Sequence, residues 1–116
     1  MAAMITAADV FNDTSKELDR LEVLRWATLE AIRGVALIPR ESDSQTLPKL
    51  MVSIADGVYE ECVVPPQRPQ IYLGCGIVLE MEHEEALAYL QRREREIDAE
   101  IDECQRIAAE CLAAVD

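Results

Sequence analysis

With 116 residues, half of them apolar, the chain is long enough to bury one core and too short for two independent domains. Its formal charge of -12, from 23 acidic against 11 basic side chains, sets up a field that repels phosphate backbones and anionic lipid, so neither nucleic acid nor membrane is expected as a partner. One tryptophan, three tyrosines and one phenylalanine beside 29% charged residues is the balance of long helices rather than of an enzyme pocket.

The opening Met1-Ala2-Ala3-Met4-Ile5 has neither the basic start nor the apolar run of a secretion signal, and no stretch approaches about 18 consecutive apolar residues. A cytoplasmic chain is the expectation, with the nucleus as the other compartment open to it. The first helix is predicted over about 12–38, with Thr14 as its cap and Glu17 three residues on as in a capping box. Leu18, Leu21, Leu24, Ala31, Ile32 and Val35 recur at three- and four-residue spacings and form an apolar seam that Arg25 and Thr28 interrupt. Upstream, Met4, Ile5, Val10 and Phe11 extend the helix by a turn or two or fray. Gly34 and Pro39 end the pattern, and Arg40 to Thr46 read as a polar linker.

From about 50 to 81 the period changes to alternating and β-branched, cut by turn residues into four short strands. Leu50 to Ile54 meets Val58 to Val64 across Asp56-Gly57, a pair that tolerates the positive φ of tight hairpins. Pro65, Pro66 and Pro69 donate no ladder bonds and separate this hairpin from the next. The second pairs Gln70 to Leu73 with Ile77 to Met81 around Gly74-Cys75-Gly76. A nucleotide loop there would need a third glycine after Gly76 and a βαβ unit around it, and neither surrounds this turn.

The second helix is predicted over about 83–115. Leu87, Leu90, Glu94, Ile97, Ile101, Cys104, Ala108, Cys111 and Val115 alternate as heptad a and d positions, with Arg92, Arg93, Glu96, Asp98, Glu100 and Glu103 on a solvated face. Burying each large seam side chain is worth roughly 1.5 to 3 kcal/mol, while each surface ion pair is worth under about 1 kcal/mol. The seam therefore decides the pairing, antiparallel with the first helix.

His83 is expected as an exposed first-turn residue among Glu82, Glu84 and Glu85, without a metal role. Cys62, Cys75, Cys104 and Cys111 form no CxxC pair and read as free thiols; Cys104 and Cys111 lie two turns apart, beyond disulfide reach. Trp26 reads either as a packing residue or as an exposed interface anchor. No carboxylate pair is marked for acid–base work, and no cofactor or metal is expected.

The run Val58-Tyr59-Glu60-Glu61-Cys62-Val63-Val64-Pro65-Pro66, then Ile71-Tyr72-Leu73-Gly74-Cys75-Gly76-Ile77-Val78-Leu79-Glu80-Met81, then Glu84-Glu85-Ala86-Leu87, resembles the core of α-class prefoldin subunits. It is especially similar to the branch that holds the ubiquitously expressed transcript protein and the von Hippel-Lindau-binding prefoldin subunit. Glu82 stands where the family more often has a Ser, Thr or Asp cap, and both helices are short for the family. Two hairpins suit the α class.

The resemblance implies an α+β fold: two long helices in an antiparallel coiled coil, joined by two β-hairpins. It also implies a hetero-oligomer of α- and β-class subunits that holds unfolded clients of the actin and tubulin kind, without ATP, for transfer to a chaperonin. Subunit assembly then falls to Val58, Tyr59, Val63, Val64, Ile71, Tyr72, Leu73, Gly74, Gly76 and Val78. Client contact at the helix tips falls to Met4, Ile5, Val10, Phe11, Cys111, Leu112 and Val115, unless these apolar residues merely cap one another. A structural adaptor that holds no client is the alternative on the same fold.

Overall fold

The computed structural model of the chain describes residues 5–40, 47 and 49–115, the side chain at 115 excepted, so Met4 and the Val115 side chain lie outside it. Helix α1 (Ala7–Leu37) leads to strands β1 (Lys49–Ala55) and β2 (Val58–Val63), then β3 (Gln70–Gly74) and β4 (Ile77–Glu80), and helix α2 (His83–Val115) closes the order. These are the two long helices and two small antiparallel hairpins anticipated above.

α1 starts earlier than expected, and its cap is not Thr14. Thr6 and Asp9 form a reciprocal capping box: the Thr6 amide donates to Asp9 Oδ2 at 3.1 Å, and the Asp9 amide donates to Thr6 Oγ1 at 3.1 Å. That closes two otherwise orphan donors. Thr14 sits inside the helix instead, buried, with its hydroxyl donating to the Val10 carbonyl at 2.7 Å. Gly34 remains within the helix, which ends at Leu37 two residues before Pro39.

The chain divides into two compact units, Met1–Glu30 with Gln91–Asp116, and Ala31–Leu90. In the first, Leu21 and Ile97 are fully buried, while Leu18, Leu24, Ile101, Cys104, Ile107 and Ala108 are half-buried around them. The helices there run antiparallel: Arg25 reaches Asp98 and lies near Glu94, whereas Arg20, earlier in the chain, lies near Glu100 and Cys104. The two charged interruptions of the expected seams, Arg25 and Glu94, thus face each other electrostatically. Thr28 satisfies its own hydroxyl on the Leu24 carbonyl at 2.8 Å.

In the second unit the core is Val35, Ile71, Ala86 and Leu90, flanked by Ala31, Ile32, Met81, Leu87 and Tyr89. Pro69 is fully buried, and the segment between the hairpins is fixed by backbone bonds from Gln67 to the Pro39 carbonyl at 3.1 Å and from Met81 to the Pro69 carbonyl at 3.0 Å.

His83 corrects the sequence reading: it is buried, not exposed, with Nε2 2.9 Å from the Ile38 carbonyl. Carbonyls at a helix end lack intrahelical partners, and the imidazole supplies one just past the end of α1. Its acidic neighbours turn outward, Glu82 to Arg68 at 3.0 Å and Glu84 to Arg40.

Candidate functional site

The hairpins are the least finished part of the second unit. Each is a separate two-stranded sheet, β1 with β2 and β3 with β4, so among the described residues every strand keeps one edge of N–H and C=O groups without a neighbouring strand. All seven residues of β1 are exposed. The register sets Leu50 opposite Cys62 and Val52 opposite Glu60 on one side, and Lys49 opposite Val63, Met51 opposite Glu61 and Ser53 opposite Tyr59 on the other. Because successive side chains point to opposite faces, this hairpin shows apolar groups to solvent on both. Met51 is 65% exposed, and Ile54, Val58, Tyr59 and Val63 are exposed as well.

The second hairpin buries only Ile71 in the core; Leu79 opposite it is 48% exposed, and on the other face Tyr72, opposite Val78, is 65% exposed. Its turn takes the left-handed region at both central residues, Cys75 at φ 54° and Gly76 at φ 77°, as type I′ hairpins require. The Gly76 amide donates to the Tyr72 hydroxyl at 3.2 Å and ties the ring over the turn. In the first hairpin only Gly57, at φ 73°, takes positive φ, and a register shift between Ser53 and Ala55 absorbs the extra residue as a bulge.

Of the expected assembly residues, Val58, Tyr59, Val63, Tyr72, Leu73, Gly76 and Val78 are exposed, Val64 and Gly74 are half-buried, and Ile71 is core. Of the expected tips, Ile5 is 79% exposed and Leu112 is exposed, while Val10, Phe11 and Cys111 are half-buried. Two-stranded hairpins are marginal in water alone, and each apolar side chain withdrawn from solvent yields roughly 1.5 to 3 kcal/mol. The arrangement therefore suits pairing with further strands.

Among the described residues no group of three His, Cys, Asp or Glu is placed to hold a metal, and no helix is long and apolar enough to cross a membrane. Cys62, Cys75, Cys104 and Cys111 are free thiols, and Cys75 is exposed.

A family model for the prefoldin subunit matches residues 12–116. The chain belongs to the prefoldin subunit family. A cryo-EM structure of filamentous PFD from Methanocaldococcus jannaschii has the same fold, with a TM-score of 0.66 at 16% identity over 94% of this chain and 88% of that one. No curated protein sequence matches the chain. Prefoldin subunits are non-enzymatic, co-chaperone-type proteins that work in oligomeric assemblies, which agrees with a site made of open strand edges. Sequence patterning missed two features of this prefoldin subunit, the wholly buried Ala86 and the buried His83. Ala86 lies beside the heptad position Leu87 and is small enough to let the elements approach, a signal readable only once packing is known.

Proposed function

We propose that this chain is an α-class subunit of a prefoldin-like hetero-oligomeric co-chaperone, holding unfolded client proteins without ATP for transfer to a chaperonin. The observation that carries the reading is the pair of two-stranded hairpins, each with open edges and exposed apolar side chains. Neighbouring subunits would extend these sheets and cover Met51, Tyr59, Tyr72 and Val78. Exposed Ile5 and Leu112 near the helix ends support client contact by apolar surface. The branch of the ubiquitously expressed transcript protein, a cytoplasmic and nuclear location, and clients of the actin and tubulin kind complete the proposal.

The second reading is a structural adaptor within a specialised complex. The half-burial of Val10, Phe11 and Cys111 favours it, since it leaves less free apolar surface at the helix ends.

Native mass spectrometry of the protein purified gently from its own cells tests assembly, with a hexamer-sized set of small coiled-coil subunits expected and a lone monomer or homodimer refuting it. In the purified complex, Ile5→Asp with Leu112→Asp is expected to abolish suppression of aggregation of chemically unfolded actin while leaving assembly intact. Unchanged suppression selects the adaptor.

A further inference from the structure

Along the first unit a groove of about 560 Å³ opens between the two helices. From α1 it is lined by Glu22, Arg25, Trp26 and Leu29, whose i, i+3, i+4, i+7 spacing brings them to one face. From α2, Ile101 lies between Asp98 and Asp102. Trp26, the only tryptophan of the chain, is 65% exposed here rather than packed into the seam. Arg25, the one cation among the groove's described lining residues, is already engaged, because its Nε donates to Asp98 Oδ1 at 2.7 Å. Glu22 and Asp102 have no ion pair among the described residues, so the groove presents an indole and two uncompensated carboxylates over an apolar floor of Leu29 and Ile101.

We propose that this groove docks a basic segment of another polypeptide, one in which arginine or lysine alternates with an apolar residue. The cation stacks on the Trp26 indole face, where the ring quadrupole attracts it, while Glu22 and Asp102 accept its N–H groups in charge-assisted hydrogen bonds. The apolar neighbour settles on Leu29 and Ile101. Charge complementarity selects this occupant: a chain of net charge -12 repels acidic partners and a second copy of itself. Several of its own arginines, at 20, 40, 68, 93 and 106, are moreover already held by glutamates. The groove lies wholly on the first unit, so the proposal stands apart from the assembly role of the hairpins.

The single tryptophan makes the test site-specific. The full chain is titrated with a peptide of alternating arginine and leucine while Trp26 emission is followed, and with a control peptide in which glutamate replaces arginine. A saturable emission change is expected with the first peptide only, weakening as NaCl rises from about 50 to about 300 mM. Anisotropy of the labelled peptide then compares variants whose helix content is checked by circular dichroism. Trp26→Leu, and separately Glu22→Gln with Asp102→Asn, are expected to weaken binding at least about tenfold, the scale of one good cation–indole or carboxylate contact. Asp13→Asn with Glu110→Gln removes the same charge elsewhere on the helices and is expected to change binding less than about twofold. Equal losses in the two double variants, equal binding of the acidic peptide, or no emission change at all overturns the proposal. So does self-association that protects Trp26.

Discussion

Val23 and Val35 lie on the same helix and differ in burial, 66% exposed against 4%, so replacing each by alanine isolates what burial contributes. Val35→Ala deletes two methyl-sized groups from the contact with Ile71, Ala86 and Leu90. At about 0.8 kcal/mol per buried group that is roughly 1.6 kcal/mol of transfer free energy. A residual cavity of about 50 Å³ adds about 1 kcal/mol, and the better helix propensity of alanine returns about 0.6 kcal/mol. The expected loss is about 2 kcal/mol, a fall in Tm of about 6 to 10 °C for a chain this size. Val23→Ala gains the same propensity and loses almost no burial, so its expected effect lies between zero and about 0.5 kcal/mol of stabilisation. Urea unfolding followed at 222 nm, at equal protein concentration so that association does not differ, measures both. If the two variants fall within about 0.5 kcal/mol of each other, the core placed around Val35 is wrong.

The Thr6–Asp9 capping box predicts a pH response of the first turn of α1. The Thr6 amide, and then its hydroxyl, hold the Asp9 carboxyl below the usual aspartate range, so the stabilisation is fully present above the unfolded-state value and is lost as pH falls through the lower folded one. Amide protection over 7–10 is expected to drop at acid pH in the parent and to be low and flat in Asp9→Ala; a parallel response in both refutes the box. Glycine positions give a pair of opposite sign. Gly57→Ala meets no atom within 4 Å yet must hold φ +73°, costing about 1 to 2 kcal/mol. Gly34→Ala, equally unobstructed but inside α1, is expected to stabilise by about 0.5 to 1 kcal/mol, and thermal melts of both variants check the signs.

The parts that the sequence makes legible are those written in local periodicity. Heptad spacing in α2 places Leu90 and Ile97 in cores, and Asp56-Gly57 and Gly74-Cys75-Gly76 mark both hairpin turns to within a residue or two. Cap choice was less legible, because Thr6-x-x-Asp9 and Thr14-x-x-Glu17 are both capping-box patterns and only the emerging helix length separates them. His83 was illegible for a different reason: its partner is a backbone carbonyl 45 residues away, and three flanking glutamates give it the look of a solvated turn. Trp26 left both readings open, since helical spacing says which residues share a face but not which face a partner helix covers.

The open hairpins bear on supply as well as on architecture. A chain whose strands end in unpaired edges and whose sheets show Met51, Tyr59 and Tyr72 to water is sticky until it is matched. Newly made copies in excess of their companions are candidates for aggregation or proteolysis, so the cellular level of this polypeptide is expected to follow the synthesis of whatever covers its strands, more than its own.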